Sequence, residues 1–165
     1  MGKRSRDKGA TWERAVARAL QFWLGSDWHV YRIQADRQQG QKGEAGDIGF
    51  RGPFAFPFAV EAKHSKSFRA GQLWKGSGPF MTWWAQATDQ AEIVGLEPML
   101  VLKGNGYECP ALVAMRTPTA RRLMGKAALW GKQRIFSPDD SELDVMVFRF
   151  DDLLNHPSCC LREIL

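Results

Sequence analysis

The chain has 165 residues, of which 44% are hydrophobic and 25% are charged, and its formal net charge is +5 at pH 7. This length and composition predict one globular domain with a sizeable core, and no apolar run approaches the roughly 20 residues that span a bilayer. The positive charge favours a polyanionic partner.

The N-terminus and the cysteines indicate the compartment. The first eight residues are charged and lack the apolar stretch of a secretory signal. The three cysteines form no C-x-x-C pair and no cluster with zinc spacing. We therefore expect a cytoplasmic protein without a disulfide framework.

The first third of the chain predicts an arm, a helix, a strand and a loop. Residues 1–9 are rich in Lys and Arg and predict a flexible basic arm. Apolar residues recur at helical spacing over about 10–24, and Gly25 ends this helix. Residues 28–33 are aromatic and β-branched and predict a strand. The polar, glycine-rich run 35–46 predicts a mobile loop.

Two short strands and a second helix form the middle of the chain. The strands are predicted over 47–51 and 58–63, on either side of a turn that contains prolines. A long basic linker covers 64–79. The following helix runs over about 80–94, because aromatic residues and alanines there recur at helical spacing.

The last third predicts a hairpin, a helix and a final strand. Strands over 98–103 and 111–115 flank an Asn-Gly turn signal. Thr-Pro starts a helix over 117–128, with Thr117 as its N-cap. A strand over 145–150 and a short helical turn over 151–155 follow. This order predicts an α/β sandwich in which helices flank a mixed central β-sheet.

Asp47, Glu61 and Lys63 are the charged residues on which a functional prediction depends. Asp47 begins one predicted strand, and Glu61 and Lys63 end the next. Because side chains alternate along a strand, Glu61 and Lys63 lie on one face and Val60 and Ala62 on the other. Polar groups between apolar neighbours on a short strand often indicate function.

This arrangement suits hydrolysis of a phosphodiester bond. The reaction requires an activated water and neutralisation of charge on the phosphate, and Mg²⁺ supplies both. Mg²⁺ is commonly held by one or two carboxylates. We expect Asp47 and Glu61 to bind it with the backbone carbonyl of Ala62, Mn²⁺ to substitute, and Lys63 to act on the water or phosphate. The alternative is a surface hairpin with a Glu–Lys ion pair worth under about 1 kcal/mol.

These residues resemble the PD-(D/E)XK nuclease superfamily. Gly46-Asp47 stands where that family has Pro-Asp, and Glu61-Ala62-Lys63 matches its E-x-K motif. The segment from Lys8 to Arg14, which contains Glu13, is similar to the first motif of archaeal-type Holliday junction resolvases and their phage relatives. The resemblance covers residues 8–103.

The resemblance implies a restriction-endonuclease-like sandwich, and it is silent beyond residue 103. The length of the chain predicts that residues 10–165 form a single nuclease domain. The resemblance further implies Glu13 as an additional metal-site acid, Asp47 and Glu61 as core metal ligands, and Lys63 as the catalytic lysine. It also implies a homodimer that makes paired, symmetric nicks in four-way DNA junctions.

Several further residues are candidates for contact with DNA. Basic side chains of the arm and the linker are expected to bind phosphates, and some relatives place a glutamine on the helix after E-x-K. The candidates are Lys3, Arg4, Arg6, Lys8, His64, Lys66, Arg69, Lys75 and Gln86. Trp74, in the basic linker, is a candidate for base stacking.

Two alternatives remain open from the sequence. The same site would suit a phage or restriction-type nuclease that prefers flaps, single strands or duplex. A noncatalytic DNA-binding module that assists recombination is the other alternative, although its acids would then be structural. We expect neither a small-molecule cofactor nor a membrane partner in any of these cases.

Overall fold

The fold was described from a computed structural model, over residues 3–33, 45–75, 78–105, 110–125 and 144–164. Most of the predicted mobile loop, residues 35–44, and the predicted end of the third helix, residues 126–128, lie outside these ranges. Among the helices within them, none has the length and hydropathy required to cross a bilayer.

The described chain contains four α-helices and six strands. In order they are α1 (Lys3–Leu24), β1 (His29–Arg32), β2 (Ile48–Arg51), β3 (Phe58–Ser65), α2 (Phe80–Val94), β4 (Glu97–Gly104), β5 (Leu112–Arg116), α3 (Thr117–Met124), β6 (Val145–Arg149) and α4 (Phe150–Leu154).

A mixed four-stranded sheet forms the centre of the fold, in the order β3-β4-β5-β6. β3 and β4 run parallel, whereas β4-β5 and β5-β6 are antiparallel. β1 and β2 form a separate antiparallel pair, which a bridge between Gly46 and Val60 connects to the edge of β3. The predicted mixed sheet with flanking helices is confirmed, and it has the restriction-endonuclease-like arrangement.

Alternation along β3 directs successive side chains to two different layers. Val60 and Ala62 are buried in the core that contains Val16 and Leu20 of α1. The opposite face of the sheet packs on α2, through residues such as Leu100 of β4. The prediction that Val60 and Ala62 share the apolar face is therefore confirmed, and the intervening polar residues point to the α2 side.

The first helix begins earlier than predicted. α1 starts at Lys3, so most of the segment predicted as a basic arm continues the helix. No proline interrupts Lys3–Lys8, and Lys and Arg are good helix formers. The single Gly9 costs about 1 kcal/mol, which the packed remainder of the helix can offset.

Two other details of the sequence prediction were wrong. The N-cap of α3 is Arg116 rather than Thr117, and within the described residues the helix ends at Met124, before Gly125. The predicted linker also contains a 3₁₀ helix, Ala70–Lys75. Leu73 of this helix is buried on the α2 side of the sheet, so the apolar residues of the linker serve packing.

Candidate active site

Asp47 is held against β3 by its backbone and its side chain. Its N–H donates to the carbonyl of Val60 at 2.7 Å, and its own carbonyl accepts from the N–H of Ile33 at 2.8 Å. Its Oδ2 accepts from the N–H of Ala62 at 2.9 Å. These three bonds fix the carboxylate at the strand that carries Glu61 and Lys63.

Gly46 makes this close approach possible. Its φ is +84°, and a Cβ placed on it would lie 2.3 Å from the carbonyl oxygen of Val60. Proline fixes φ near −65°, so the proline that the superfamily motif carries here is incompatible with this backbone. The departure of the chain from Pro-Asp thus has a structural cause, and the acid itself is in place.

Glu61 is buried, and one of its carboxylate oxygens has two polar partners. Its side chain is only 3% exposed, and its Oε1 accepts from Nε2 of Gln86 at 2.9 Å and from Nζ of Lys63. Burial of a charged carboxylate is costly unless it is paired and hydrogen-bonded. The alternative of a surface hairpin with a Glu–Lys pair is therefore wrong, because Glu61 is buried and β2 pairs with β1 rather than with β3.

Lys63 and Gln86 reach Glu61 from different elements. Lys63 lies two residues along β3, on the same face as predicted, and its side chain is 23% exposed. Gln86, which the sequence predicted as a candidate, lies on α2 and contacts the acid. Together they orient one carboxylate between a strand and a helix.

The electrostatics of Asp47 are unusual. Burial, followed by the nearby charge of Glu61, raises the pKa of Asp47 to about 7, and Glu13 adds to the effect. The Ala62 N–H and Lys63 act in the opposite direction and lower this pKa. Strongly perturbed acids of this kind concentrate at functional sites. A bound cation would relieve the mutual repulsion of these carboxylates.

Glu13 is held by a partner that sequence reasoning missed. Its carboxylate pairs with Nε of Arg32, at the end of β1. The two side chains are 15% and 29% exposed, respectively. No local motif identifies Arg32 in the sequence, because the pair joins residues of two different elements that only the fold brings together.

A family model described as "Phage putative PDDEXK endonuclease" matches residues 4–163. The chain belongs to this family of PD-(D/E)XK endonucleases. The match confirms the superfamily and the phage relation, and it extends past residue 103 to include the C-terminal strands and helices. Comparison with curated proteins found no match, and comparison with solved structures found none.

The donor atoms of the endonuclease site suit a hard divalent cation. Asp47 and Glu61 supply carboxylate oxygens, which Mg²⁺ prefers. The N–H and C=O of one strand residue point to the same side, so the Ala62 carbonyl faces the edge where Asp47 lies. Over the described residues, however, no three His, Cys, Asp or Glu side chains form a metal-binding group. Two carboxylates and a carbonyl therefore fit the expected metal better than a closed set that includes Glu13.

The predicted DNA contacts fall into different environments. Lys8 and His64 line a cleft beside Trp12, Lys66 is exposed, and Arg69 donates to the carbonyls of Lys66 and Phe68, at 2.6 and 3.0 Å. The remaining candidates have side chains outside the described part of the structure: Lys3, Arg4, Arg6, Trp74 and Lys75.

Proposed function

We propose that the protein is a divalent-metal-dependent endonuclease that hydrolyses phosphodiester bonds of DNA. The observation that carries the proposal is the pairing of buried Glu61 with Lys63 and Gln86, beside an Asp47 of raised pKa. The motif residues thus place two carboxylates near each other, with a lysine and a glutamine bound to one of them.

Asp47, Glu61 and the carbonyl of Ala62 are the groups that would hold Mg²⁺. When bound, the ion would neutralise charge on the phosphate and lower the pKa of a water. The chain itself orients these donors. The Ala62 N–H fixes one oxygen of Asp47, and Gln86 fixes one oxygen of Glu61.

Lys63 is the cation best placed to act on the substrate. An ammonium has three N–H donors, so its bond to Glu61 leaves two for a phosphate oxygen or a water. Its partial exposure lets the amino group reach a bound strand. We assign to Lys63 the stabilisation of charge that develops on the phosphate.

The charge of the chain supports binding to DNA. The net charge is +5. Lys66 follows Lys63 by three residues, and Lys8 and Lys103 line a cleft together with His64, the residue after Lys63. Lysines that contact phosphates displace counterions, so binding should weaken steeply as salt increases.

We further propose four-way junctions as the preferred substrate, cut in the host cytoplasm by a homodimer that makes paired, symmetric nicks. The support is the resemblance of segment 8–14 to junction-resolving relatives, together with the presence of Glu13 on α1 beside the site. Flaps, single strands and linear duplex are the competing substrates within the same chemistry.

A cleavage comparison tests this proposal. End-labelled four-way junction, linear duplex and flap of matched sequence are incubated with Mg²⁺, with EDTA and Asp47→Asn as controls. Symmetric nicks on the junction alone are the expected result. Equal cutting of all three would reject the junction preference and retain the endonuclease. Tight binding without cutting would support the noncatalytic module.

A further inference from the structure

A cleft of about 410 Å³ opens at the surface between α1 and the ends of β3 and β4. Its size is within the roughly 300–1,000 Å³ of sites for small ligands. It is lined by Lys8, Thr11, Trp12, Ala15, His64 and Lys103. None of these six residues is acidic, and the lining is mostly apolar, so the cleft offers apolar surface beside the cations of Lys8 and Lys103.

Trp12 forms the wall of the cleft. Its Nε1 donates to the carbonyl of Val101 at 3.4 Å, which fixes the indole on the sheet. Nζ of Lys103 lies 5.5 Å from the ring centroid, and the His64 ring lies 6.2 Å away at 55°. The ring is only partly buried and contributes to the surface.

The cleft lies next to the proposed active site. Trp12 directly precedes Glu13, and His64 directly follows Lys63. Consecutive Cα atoms are about 3.8 Å apart, so the cleft and the catalytic groups share the same end of β3. Alternation along the strand directs Lys63 to the α2 side and His64 to the α1 side.

We propose that this cleft binds one unpaired nucleobase of the DNA substrate, stacked on Trp12, while Lys8 and Lys103 pair with the adjacent phosphates. This inference rests on the proposed function and specifies its substrate class as DNA with an unpaired nucleotide beside the cut. Such nucleotides occur at branch points, flaps and bulges.

The chemistry of the cleft favours a nucleobase over other ligands. Every base has a π-face that stacks on an aromatic side chain, and stacking is worth more than an exposed cation–π contact. A base can therefore replace Lys103 over the ring and release its ammonium to a phosphate. A duplex is too wide to enter a cleft of this size, so the occupant is a single nucleotide.

The test compares DNA that has a base at one bulged position with DNA that lacks the base at that position. Dissociation constants are measured in EDTA, so that no cutting occurs, for a duplex with one bulged 2-aminopurine, the same duplex with an abasic bulge, and the fully paired duplex. Wild type should bind the 2-aminopurine bulge on the order of tenfold more tightly than the abasic bulge, and the 2-aminopurine emission should fall on binding.

Variants separate stacking from charge and from folding. Trp12→Leu keeps an apolar side chain and should abolish the preference for the base, whereas Trp12→Phe should retain part of it. Lys103→Gln should weaken binding of the bulged DNAs more than Arg18→Gln, which removes an exposed cation from α1, about 120° round the helix from Trp12. Equal affinity of wild type for base and abasic bulges, or a base preference that survives Trp12→Leu, would overturn the proposal.

The design also separates this inference from the proposed function. A base preference in EDTA together with no Mg²⁺-dependent cleavage would retain the cleft and reject the endonuclease. Cleavage without any base preference would retain the endonuclease and reject the cleft.

Discussion

The carboxylate of Asp47 accepts a hydrogen bond from the backbone N–H of Ala62 at 2.9 Å. This bond links an acid just before β2 to the central residue of the Glu61-Ala62-Lys63 segment on β3. It keeps two carboxylates near each other although burial and mutual repulsion oppose their ionisation. A cation bound at the proposed site would relieve this repulsion.

Asp47→Asn should stabilise the metal-free protein at alkaline pH. The raised pKa means that the folded state holds the Asp47 proton more tightly than the unfolded state between pH 3.8 and about 7. Stability therefore falls as pH rises through this interval, and a neutral amide, whose oxygen can still accept the Ala62 N–H, avoids that loss.

Urea unfolding in EDTA measures this effect. At pH 8 the Asp47→Asn protein should be more stable than wild type by on the order of 1–3 kcal/mol, and the difference should shrink toward pH 4. Asp89→Asn, an exposed change on α2, should stay within about 0.5 kcal/mol of wild type. A destabilised Asp47→Asn protein at pH 8 would show that the carboxylate stabilises the fold.

Mg²⁺ should stabilise the wild-type protein through the same carboxylates. A ligand that binds only the folded state adds about 2.7 kcal/mol at 100 times its Kd. We expect thermal unfolding of wild type to shift upward with Mg²⁺, and the shift to be lost in Asp47→Asn and Glu61→Gln. An equal shift in all three proteins would place the ion elsewhere.

Much of the fold was predictable because local patterns and tertiary packing agree. The limits of α2 were predicted as Phe80–Val94 and are confirmed, since its aromatic stripe and the terminal Gly95 both indicate them. The hairpin of β4 and β5 is also confirmed. The start of α1 was wrong because charged residues are compatible with either an arm or a helix.

The candidate site was predictable in its residues and unpredictable in its contacts. The pairing of Lys63 with Glu61 follows from strand alternation, whereas Arg32 has no motif that identifies it. The need for a glycine at position 46 arises from the approach of Val60 on another strand, and the cleft at Trp12 arises from three separate elements. Such relationships depend on long-range packing that periodicity does not encode.

Gln86→Ala should slow cleavage without weakening DNA binding. Gln86 fixes the carboxylate of Glu61 from α2, and loss of groups that orient a metal ligand typically costs 10–100-fold in activity or metal affinity. Single-turnover rates at saturating Mg²⁺ and DNA measure this loss. Thr82→Ala, one turn earlier and exposed, is the control. An unchanged rate in Gln86→Ala would mean that Glu61 needs no support from α2.

Gly46→Ala should damage both stability and cleavage. The added Cβ would lie 2.3 Å from the Val60 carbonyl, in a backbone of positive φ. Gly95→Ala is a matched control because Gly95 has φ +70° and nothing within 4 Å of its added Cβ. Both substitutions place alanine at a positive φ, which costs about 1–3 kcal/mol, but only Gly46→Ala adds a clash with Val60. Gly46→Ala should therefore lower the free energy of unfolding, measured in urea, by more than Gly95→Ala does. Similar losses would argue that β3 can move away from Gly46.

Variants of Glu13 and Arg32 should show whether Glu13 serves the metal site or only the fold. If Glu13 serves the metal site, Glu13→Gln should slow cleavage more than Arg32→Gln does, because Arg32 only positions the acid. A double-mutant cycle for stability measures the ion pair separately. Equal losses of stability in both single variants, with unchanged cleavage, would assign the pair to the fold.

The most direct measurement is the Mg²⁺-dependent cleavage rate of an end-labelled four-way junction by wild type and by Asp47→Asn, at pH 8 and at equal junction binding. The proposed site predicts cutting by wild type and a loss of at least about a hundredfold in the variant, since the lost group would hold the catalytic ion. Cutting by Asp47→Asn at the wild-type rate would contradict the assignment of this site.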